Sequence, residues 1–375
     1  MILYAGVACV TIAAGLFVNN STKRLAFGYT RQQVLNVICL GFIFLLLFAV
    51  SALRLNVGND YAKYCEYFHL IRCKLDTPTY VPTEFGFNAV CILIYLICGR
   101  QEIYPVMFGV FALLTILVFM KAMYRQAESF PFTFFLFMTL SYYFQTFSTI
   151  RYYLALAMAL YAIRYVIDRE WVKFILMILV AATFHKSVLI VIPFYFLAQW
   201  TWKKWQYLLV AAFCASLFLF REYYMKAFLL IYPTYEETEY LDGGTSLINI
   251  LRCVGVLVLS LLLYRKLIKN NRRMTFYFYC NIWALLLYLS CFFLPAVSRL
   301  GYYLNITHIL FIPSLILGIG NAKLKKLCII LTVAAGILYL GVFLLFKAGA
   351  DGLRILPYQT FLYHEMVPIL SDVTN

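Results

Sequence analysis

The sequence predicts an all-α polytopic membrane protein with about twelve transmembrane helices, on the basis of its composition, its apolar runs and the placement of its charges. Hydrophobic residues make up 64% of the 375 residues, charged residues only 13%, and the mean hydropathy is +0.85. Soluble domains carry roughly 25% charged residues, so this composition excludes a soluble domain. At about 25–30 residues for each span with its loop, one integral membrane domain over residues 1–375 has room for about a dozen helices.

Twelve apolar runs are predicted to cross the membrane, which a helix of about 20 residues spans. The crossings are expected at 2–18, 33–53, 105–124, 131–147, 151–167, 172–184, 187–198, 207–221, 247–264, 276–294, 300–319 and 327–346. A further run, 85–98, has only 14 residues between Glu84 and Arg100, so we expect it to dip in from the outer face without crossing. The first run has no basic residue before it and Lys23 and Arg24 after it, which predicts a retained helix with the N-terminus outside.

Loop charges orient these spans. The loops assigned to the inner side hold 18 of the 31 Lys and Arg residues and 3 of the 16 acids, so they carry the whole formal net charge of +15. The positive-inside rule explains this charge, and no nucleic-acid partner is required. A competing topology, in which 85–98 crosses and 172–198 forms one span, would place two basic loops outside and is disfavoured.

Three segments are then assigned to the outer face: 54–104, 222–246 and the C-terminal tail 347–375. The middle segment mixes acids with tyrosines between positions 232 and 242, which predicts either stacking on sugar faces or an interfacial aromatic belt. Cys65 and Cys73 share the first outer segment, where they form a disulfide or stay as two free thiols. The other nine cysteines lie in apolar segments and indicate no zinc site.

Four basic patches interrupt apolar runs and are assigned to the outer side: Arg151, His185 with Lys186, Arg252 and Arg299. A charged side chain at mid-depth costs at least about 2.5–3.5 kcal/mol, so such a cluster near one mouth indicates a site. The short spans on either side of His185 predict that this turn lies recessed in a wet outer cavity. Several guanidiniums suit a diphosphate, because arginine keeps its charge and binds phosphate oxygens through a rigid fork.

Acidic residues of the first outer segment are the next candidates. Asp60 follows the second span directly and has Tyr61 and Tyr64 after it. It can accept a proton from a hydroxyl, or it can simply cap a helix, since Asn-Asp is a common helix start. Glu84 opens the dipping helix, where the helix dipole favours an acid with or without a function.

Six short motifs follow one another between positions 57 and 358. They are Val57-Gly58-Asn59-Asp60-Tyr61, Glu84-Phe85-Gly86-Phe87, Ile150-Arg151, Phe184-His185-Lys186-Ser187, Ser298-Arg299-Leu300 with Tyr302-Tyr303, and Leu356-Pro357-Tyr358. In this order they resemble the EpsG family of bacterial membrane proteins, a branch of the Wzy-like O-antigen and exopolysaccharide polymerases. Tyr152 stands where that family often has glutamine, a difference that bears on contacts to the acceptor. The resemblance implies a GT-C-like fold in the bacterial cytoplasmic membrane.

The resemblance also implies a polymerase that moves a growing glycan from polyprenyl diphosphate onto a lipid-linked repeat unit at the outer face. Arg151 and Arg299 are the candidate catalytic cations, and Asp60 or His185 is the candidate base. The candidate substrate-binding residues are Arg252, Glu84, Tyr61, Tyr64, Lys186, Tyr302 and Tyr303. The expected partners are the lipid-linked oligosaccharide, membrane lipids and a chain-length regulator, and neither a metal nor another cofactor is expected. The product is a capsule, an exopolysaccharide or an O-antigen.

Two other functions fit part of the pattern. A glycan O-acyltransferase also places His and Arg within membrane spans, but a thioester donor would come from the cytoplasm, whereas His185 is assigned outside. A flippase or transporter of lipid-linked oligosaccharides would have charges along both halves of a pathway, whereas these cations cluster at one mouth.

Overall fold

The computed structural model describes residues 1–21, 30–77, 80–231, 246–294 and 297–364. Within these residues the chain is helical and forms no β-strand, apart from an isolated bridge between Arg54 and Thr360. The predicted all-α class is therefore confirmed.

Seventeen α-helices occur in the described part, and most begin within four residues of a predicted apolar run. They are α1 (Ile2–Gly15), α2 (Arg31–Ala52), α3 (Tyr61–Asp76), α4 (Phe85–Ile97), α5 (Tyr104–Gln126), α6 (Phe130–Thr139), α7 (Tyr142–Gln145), α8 (Ile150–Ile167), α9 (Trp171–Ala182), α10 (Val191–Leu197), α11 (Lys204–Leu219), α12 (Arg221–Ile231), α13 (Leu247–Leu263), α14 (Arg272–Ser290), α15 (Val297–Asn305), α16 (His308–Leu317) and α17 (Ala322–Val342). A 3₁₀ turn (Lys186–Ile190) precedes α10, and π-helical turns follow α13 (Tyr264–Ile268) and α17 (Phe343–Lys347). Only α3 and α12 fall outside the predicted runs, in two of the predicted outer segments.

Six stretches of helix in the described residues are long and apolar enough to cross a membrane: Arg31–Ala52, Tyr104–Gln126, Ile150–Ile167, Leu247–Ile268, Val297–Leu317 and Ala322–Lys347. A seventh is present if Trp205–Leu219 and Arg221–Leu230, which are bent by 83° at a break, count as one span. The chain is thus a multi-pass membrane protein. The larger number of twelve crossings and the GT-C-like fold stay predictions.

The remaining predicted spans are short or interrupted. Residues 131–147 form α6 and α7, which are separated at Ser141, whose φ of 63° lies in the left-handed region. A left-handed residue cannot continue an α-helix, so the run does not form one straight span. Helices α9 and α10 keep the predicted break near His185, and neither is long enough to cross by itself.

Polar residues start three of the long helices at the chain positions that the sequence assigns to the inner side. The Thr30 hydroxyl accepts from Gln33 N–H while the Gln33 side chain accepts from Thr30 N–H, which is a complete capping box for α2. Asn271 caps α14 through Met274 N–H, and Asn321 caps α17 in the same way. These caps pair backbone donors that the first turn of a helix otherwise leaves unsatisfied.

The chain forms two compact units, each assembled from segments that are distant in sequence. The first unit consists of Met1–Tyr161, Leu179–Lys186 and Asn321–Asn375, and the second of Ala162–Ile178 and Ser187–Gly320. In the first unit α2 packs against α1 and α5, while α6 packs against α1 and α17. In the second unit α14 packs against α13, α15 and α16.

The C-terminal segment 354–361 lies along the loop that follows α2 in the first unit. Leu55 N–H donates to Gln359 O at 2.9 Å. Tyr4, near the start of α1, donates its hydroxyl hydrogen to Ile355 O at 2.6 Å. The start of α1, the end of α2 and the segment after α17 therefore lie at one end of this unit. That grouping agrees with their predicted placement on one membrane side, and which side it is stays a prediction.

Asparagines connect α1, α2 and α5 away from that end. Asn36 Oδ1 accepts from Asn19 N–H at 2.9 Å, and Asn36 Nδ2 donates to Asn19 O at 2.7 Å. Asn20 Nδ2 donates to Ala127 O, just after α5, at 2.7 Å. Asn36 is 2% exposed, and its hydrogen bonds satisfy polar atoms that would otherwise destabilise an apolar interior.

A buried polar network joins four helices of the second unit. His308 is completely buried, its Nε2 lies 2.8 Å from Asn281 Oδ1, and Asn281 Nδ2 donates to Cys253 O at 3.1 Å. Asn305 Nδ2 donates to the Tyr288 hydroxyl at 2.7 Å, and the Cys253 thiol donates to Asn305 Oδ1 at 3.2 Å. The network therefore fixes the relative register of α13, α14, α15 and α16.

Some sequence expectations fall outside the described residues: the acids and tyrosines between 232 and 242, Lys23 and Arg24, and the tail beyond 364. The two cysteines of the first outer segment are described. Both are free, Cys65 is buried, and the Cys73 thiol lies 3.6 Å from His69 Nε2. Of the two alternatives for this pair, the structure therefore shows the free thiols and not the disulfide.

Gly58→Ala should destabilise the first unit strongly. Gly58 has a φ of 114°, and a Cβ at this position would collide with the carbonyl group of Phe147. The backbone strain alone costs on the order of 1–3 kcal/mol. Thermal unfolding of the purified protein in detergent measures the loss. Gly41→Ala is the matched control, because a Cβ there meets nothing within 4 Å, and equal melting temperatures for the two variants would contradict this packing.

Candidate functional site

Arg151, the second residue of α8, forms an ion pair with Glu84 at the start of α4. Arg151 Nη1 donates to Glu84 Oε2, and each side chain is only 15% exposed. Glu84 lies at the N-cap position of α4, but its side chain makes no capping hydrogen bond. Its other oxygen, Oε1, accepts from Lys186 N–H at 3.3 Å. One carboxylate therefore joins α4, α8 and the turn after α9, which helix capping alone does not explain.

A close approach of two backbones brings that turn to Glu84. Gly86 N–H donates to Thr183 O at 2.7 Å. Any Cβ at position 86 would collide with the side chain of Thr183, so only glycine permits this distance. The presence of glycine in the Glu84-Phe85-Gly86-Phe87 motif thus has a structural reason. It allows the backbone approach that brings the Glu84 carboxylate within reach of Lys186 N–H.

Three aromatic rings surround the Arg151 guanidinium. The ring centroids of Tyr64, Tyr67 and Phe87 lie 5.6, 5.7 and 5.5 Å from its Cζ atom. Aromatic faces at this distance attract a cation. Burial raises the pKa of Tyr64 to about 12, although the charge of Arg151 opposes this shift, so the phenol stays protonated at neutral pH. The guanidinium is held by neutral rings and by a single carboxylate.

His185 directly precedes Lys186, whose N–H binds Glu84, and it packs against Tyr152. The two rings meet edge to face, with centroids 5.5 Å apart. Tyr152 is buried and His185 is half-buried, while Lys186 is exposed. Tyr152, which stands where the family often has glutamine, therefore covers one side of the His185 imidazole.

Asp60 occupies the N-cap position of α3, but its side chain makes no capping hydrogen bond. It is half-buried, and its charge acts on Tyr64 one turn further along. Tyr61 and Tyr64 are buried, and Tyr61 stacks on Phe108 with centroids 4.2 Å apart. Tyr303 in the second unit is also completely buried. Their rings are covered by protein in this structure, and their contact with substrate stays a prediction.

The other predicted cations, Arg252 and Arg299, belong to the second unit. Arg252 Nη2 donates to Asn249 Oδ1 at 3.2 Å, one turn earlier in α13. Arg299 and Tyr302 are half-buried and lie one turn apart in α15. The structure thus groups Asp60, Tyr64, Glu84, Arg151, His185 and Lys186 in the first unit. The expectation that Arg151 and Arg299 bind the same ligand stays a prediction.

Sequence reasoning missed Arg54, which follows α2. Its side chain is 2% exposed and lies between the rings of Phe108 and Phe147, with its Cζ 5.0 and 4.9 Å from their centroids. The sequence does contain a signal for it. Arg54 is a basic residue at the end of an apolar span, on the side that the loop charges predict to be outside, where the positive-inside rule gives no reason for a cation.

Metal-ligating side chains are not grouped in the described ranges: no three His, Cys, Asp or Glu residues there are arranged to hold an ion. The expectation of a reaction without a cofactor stays a prediction.

Comparison with protein families places these residues in context. The model of the EpsG family matches residues 37–360, which is most of the chain. The chain belongs to the EpsG family. All six motifs quoted from the sequence lie within the matched range, so the resemblance is confirmed. EpsG proteins are Wzy-like polysaccharide polymerases, and the chain therefore has a polysaccharide-polymerase role in general. No curated protein and no solved structure matches it.

Glu84→Gln should destabilise the protein by about 3 kcal/mol or more, because it leaves the Arg151 charge buried without its carboxylate. Asp76→Asn is the matched control, since Asp76 pairs with Arg100 at 3.0 Å and both side chains are more than 60% exposed. An exposed pair contributes about 0–1 kcal/mol. Chemical or thermal unfolding in detergent compares the two variants. Similar losses for both would mean that Glu84 does not balance a buried charge.

Proposed function

We propose that this EpsG-family protein transfers a growing glycan from polyprenyl diphosphate onto a sugar hydroxyl of a lipid-linked repeat unit, at the outer face of the bacterial cytoplasmic membrane. The observation that carries the proposal is the Glu84–Arg151 ion pair, which joins three of the family's motif segments in one half-buried region. In the proposed reaction the acceptor oxygen bonds to the anomeric carbon, and the bond from that carbon to the diphosphate breaks.

The leaving diphosphate gains negative charge, and fixed cations in a region with little water stabilise that charge. Arg151 supports this role through its fixed position, because Glu84 and three rings hold the guanidinium before any substrate binds. Glu84 also neutralises part of its charge, so further cations are needed for two phosphates. Lys186 is exposed beside the pair, and Arg299 and Arg252 are the proposed contributors from the second unit.

His185 is the proposed base that takes the proton of the acceptor hydroxyl. It is half-buried, packs on Tyr152 and precedes Lys186, whose N–H binds Glu84. The imidazole is thus one residue away from the N–H group that Glu84 binds. Asp60 is the other candidate, and it lies at the start of the helix that supplies Tyr64 and Tyr67 to the Arg151 cage.

Arg151→Gln should shorten the surface glycan from a ladder to single repeats while the protein remains inserted. Loss of one preorganised donor to a developing charge lowers turnover about 10²–10³-fold. Gel analysis of the glycan from cells carrying the variant measures chain length. Arg100→Gln is the control, because Arg100 is exposed and pairs with Asp76. Long chains from Arg151→Gln would remove this mechanism, and a loss of single repeats at the surface would favour a flippase.

His185→Gln should lower turnover at least about 100-fold and leave the binding of lipid-linked substrate unchanged, because a lost base affects proton transfer and not affinity. Asp60→Asn, measured alongside, should lower turnover much less. Polymerisation by purified protein at saturating substrate, with a separate binding measurement, distinguishes the two effects. The reverse result would assign the base to Asp60, and equal losses of binding and turnover in His185→Gln would indicate a structural role.

A further inference from the structure

Arg54 presents a different electrostatic problem from Arg151. Its guanidinium is buried between Phe108 and Phe147, and no ion pair to it occurs within the described parts of the first unit. Its Nε atom also has no hydrogen-bond partner there. An isolated buried charge is strongly disfavoured unless something compensates it. Aromatic faces attract a desolvated guanidinium, but this attraction is weaker than the cost of burying an ion.

Four tyrosines act electrostatically on Arg54, but they supply no net negative charge. Each phenol directs its hydrogen to a backbone carbonyl, at distances of 2.6 Å for Tyr4, 2.7 Å for Tyr143, 3.0 Å for Tyr358 and 3.5 Å for Tyr61. Burial raises the pKa of Tyr61 and of Tyr358 above the usual value for tyrosine, so neither is a phenolate at neutral pH. Their oxygens offer only partial charges to the guanidinium.

Arg54 also lines a small cavity of about 10 Å³. The hydroxyl-bearing residues Ser51, Thr115 and Thr146 line it as well, together with the apolar side chains of Phe111 and Ile150. This volume is close to the least that one water needs, so the cavity admits a single atom of that size and excludes a whole phosphate group. The guanidinium and the hydroxyl-bearing residues line an otherwise mostly apolar cavity. A cation without a carboxylate partner at such a cavity attracts an anion more strongly than it attracts neutral water.

We propose that this cavity is an anion-binding site in which Arg54 holds one compact anionic atom. The ligand chemistry is either a halide from solution or a single oxygen of a phosphate group that reaches in from a larger molecule. The available donors are the Arg54 guanidinium and the Thr115 hydroxyl, because the hydroxyls of Ser51 and Thr146 already donate to Tyr143. Such donors bind both kinds of atom. The site is separate from the Arg151–Glu84 pair, because Phe111 stands between them: it lines the cavity and stacks on Phe87, with centroids 5.1 Å apart.

This inference goes beyond the proposed function and does not require it. A halide would be a structural counter-ion that holds the loop after α2 against the C-terminal segment 354–361. A phosphate oxygen would make Arg54 a second cation of the polymerase reaction, supplied by a residue that no family motif quoted above contains. The two sources differ in whether an anion binds when no lipid-linked substrate is present, and this difference can be measured.

The first experiment measures the melting temperature of the full-length protein in detergent, without lipid-linked substrate, as chloride or bromide replaces gluconate at constant ionic strength. Gluconate is too large for the cavity, so it serves as the inert anion. Saturable stabilisation by about 2 °C or more is expected if a halide binds the folded state. A second titration replaces the halide with a short polyprenyl diphosphate in gluconate. Stabilisation by halide assigns the solution source, and stabilisation by the diphosphate alone assigns the substrate; either supports the anion site.

Two variants test whether Arg54 is the residue that binds the anion. Arg54→Gln should abolish the anion dependence, and Arg100→Gln, an exposed arginine of the same outer segment, should keep it. Position 54 is buried, so the Arg54→Gln protein can fail to fold. Thr115→Val therefore provides an independent variant that keeps the guanidinium. The loss of one hydroxyl should raise the anion concentration for half-saturation about 3–10-fold.

The proposal is overturned if the wild-type melting temperature depends on neither anion, or if Thr115→Val and Arg54→Gln respond like the wild type. Those results would mean that the rings and phenol oxygens alone stabilise Arg54. Because the halide titration involves no glycan and no turnover, its failure is distinct from a failure of the polymerase proposal. Conversely, long glycan chains from Arg151→Gln would contradict the polymerase mechanism and leave the Arg54 site unaffected.

Discussion

The compensation of buried positive charge is the constraint on which the candidate site depends. Water is scarce in the interior of a membrane protein, so a guanidinium there needs a fixed partner. Arg151 has Glu84 as that partner, and the same carboxylate binds Lys186 N–H. One acidic side chain therefore both neutralises the cation and holds in place the turn that carries His185. Without it, three motif segments would lose their common point of attachment.

Aromatic residues share this task with the carboxylate. The high content of Tyr and Phe is partly what a membrane interface requires, but several of these rings lie in the core of the first unit and face cations. Arg151 has three rings around it, and Arg54 lies between two others. Phe111 and Phe87 stack between the two cations. A stack of neutral rings separates like charges and excludes water, so each arginine keeps its own environment.

Backbone geometry matters as much as charge, and two glycines illustrate why. Gly86 allows the start of α4 to reach Thr183, and Gly58 adopts a φ of 114° beside Phe147. Both positions lie in motifs that the family match covers. Close approach of neighbouring atoms explains the glycine at position 86, and backbone conformation together with close approach explains the glycine at position 58. Family motifs in this protein therefore combine residues that shape the site with residues that are available for chemistry.

Much of the fold follows from local sequence. Helical class, helix positions and the break near His185 are properties of apolar runs and of the charges between them, so they could be predicted without knowledge of distant contacts. The continuity of a single span could not be predicted in the same way. The run 131–147 is apolar enough for a span but is interrupted at Ser141 by a backbone conformation that hydropathy does not report. The burial of Tyr61 and Tyr303 could not be predicted from hydropathy for a related reason, since burial depends on packing partners.

The sequence by itself determined that this is an α-helical membrane protein of the EpsG type with arginines and a histidine in unusual apolar surroundings. Only the tertiary structure decided what those charges contact. Arg151 meets Glu84 from 67 positions away, and Lys186 meets it from 102 positions away. Arg54 is enclosed by residues that range from Tyr4 to Tyr358. Composition and spacing report the cost of a buried charge, whereas its compensation depends on which distant side chains the packed helices bring within hydrogen-bond distance.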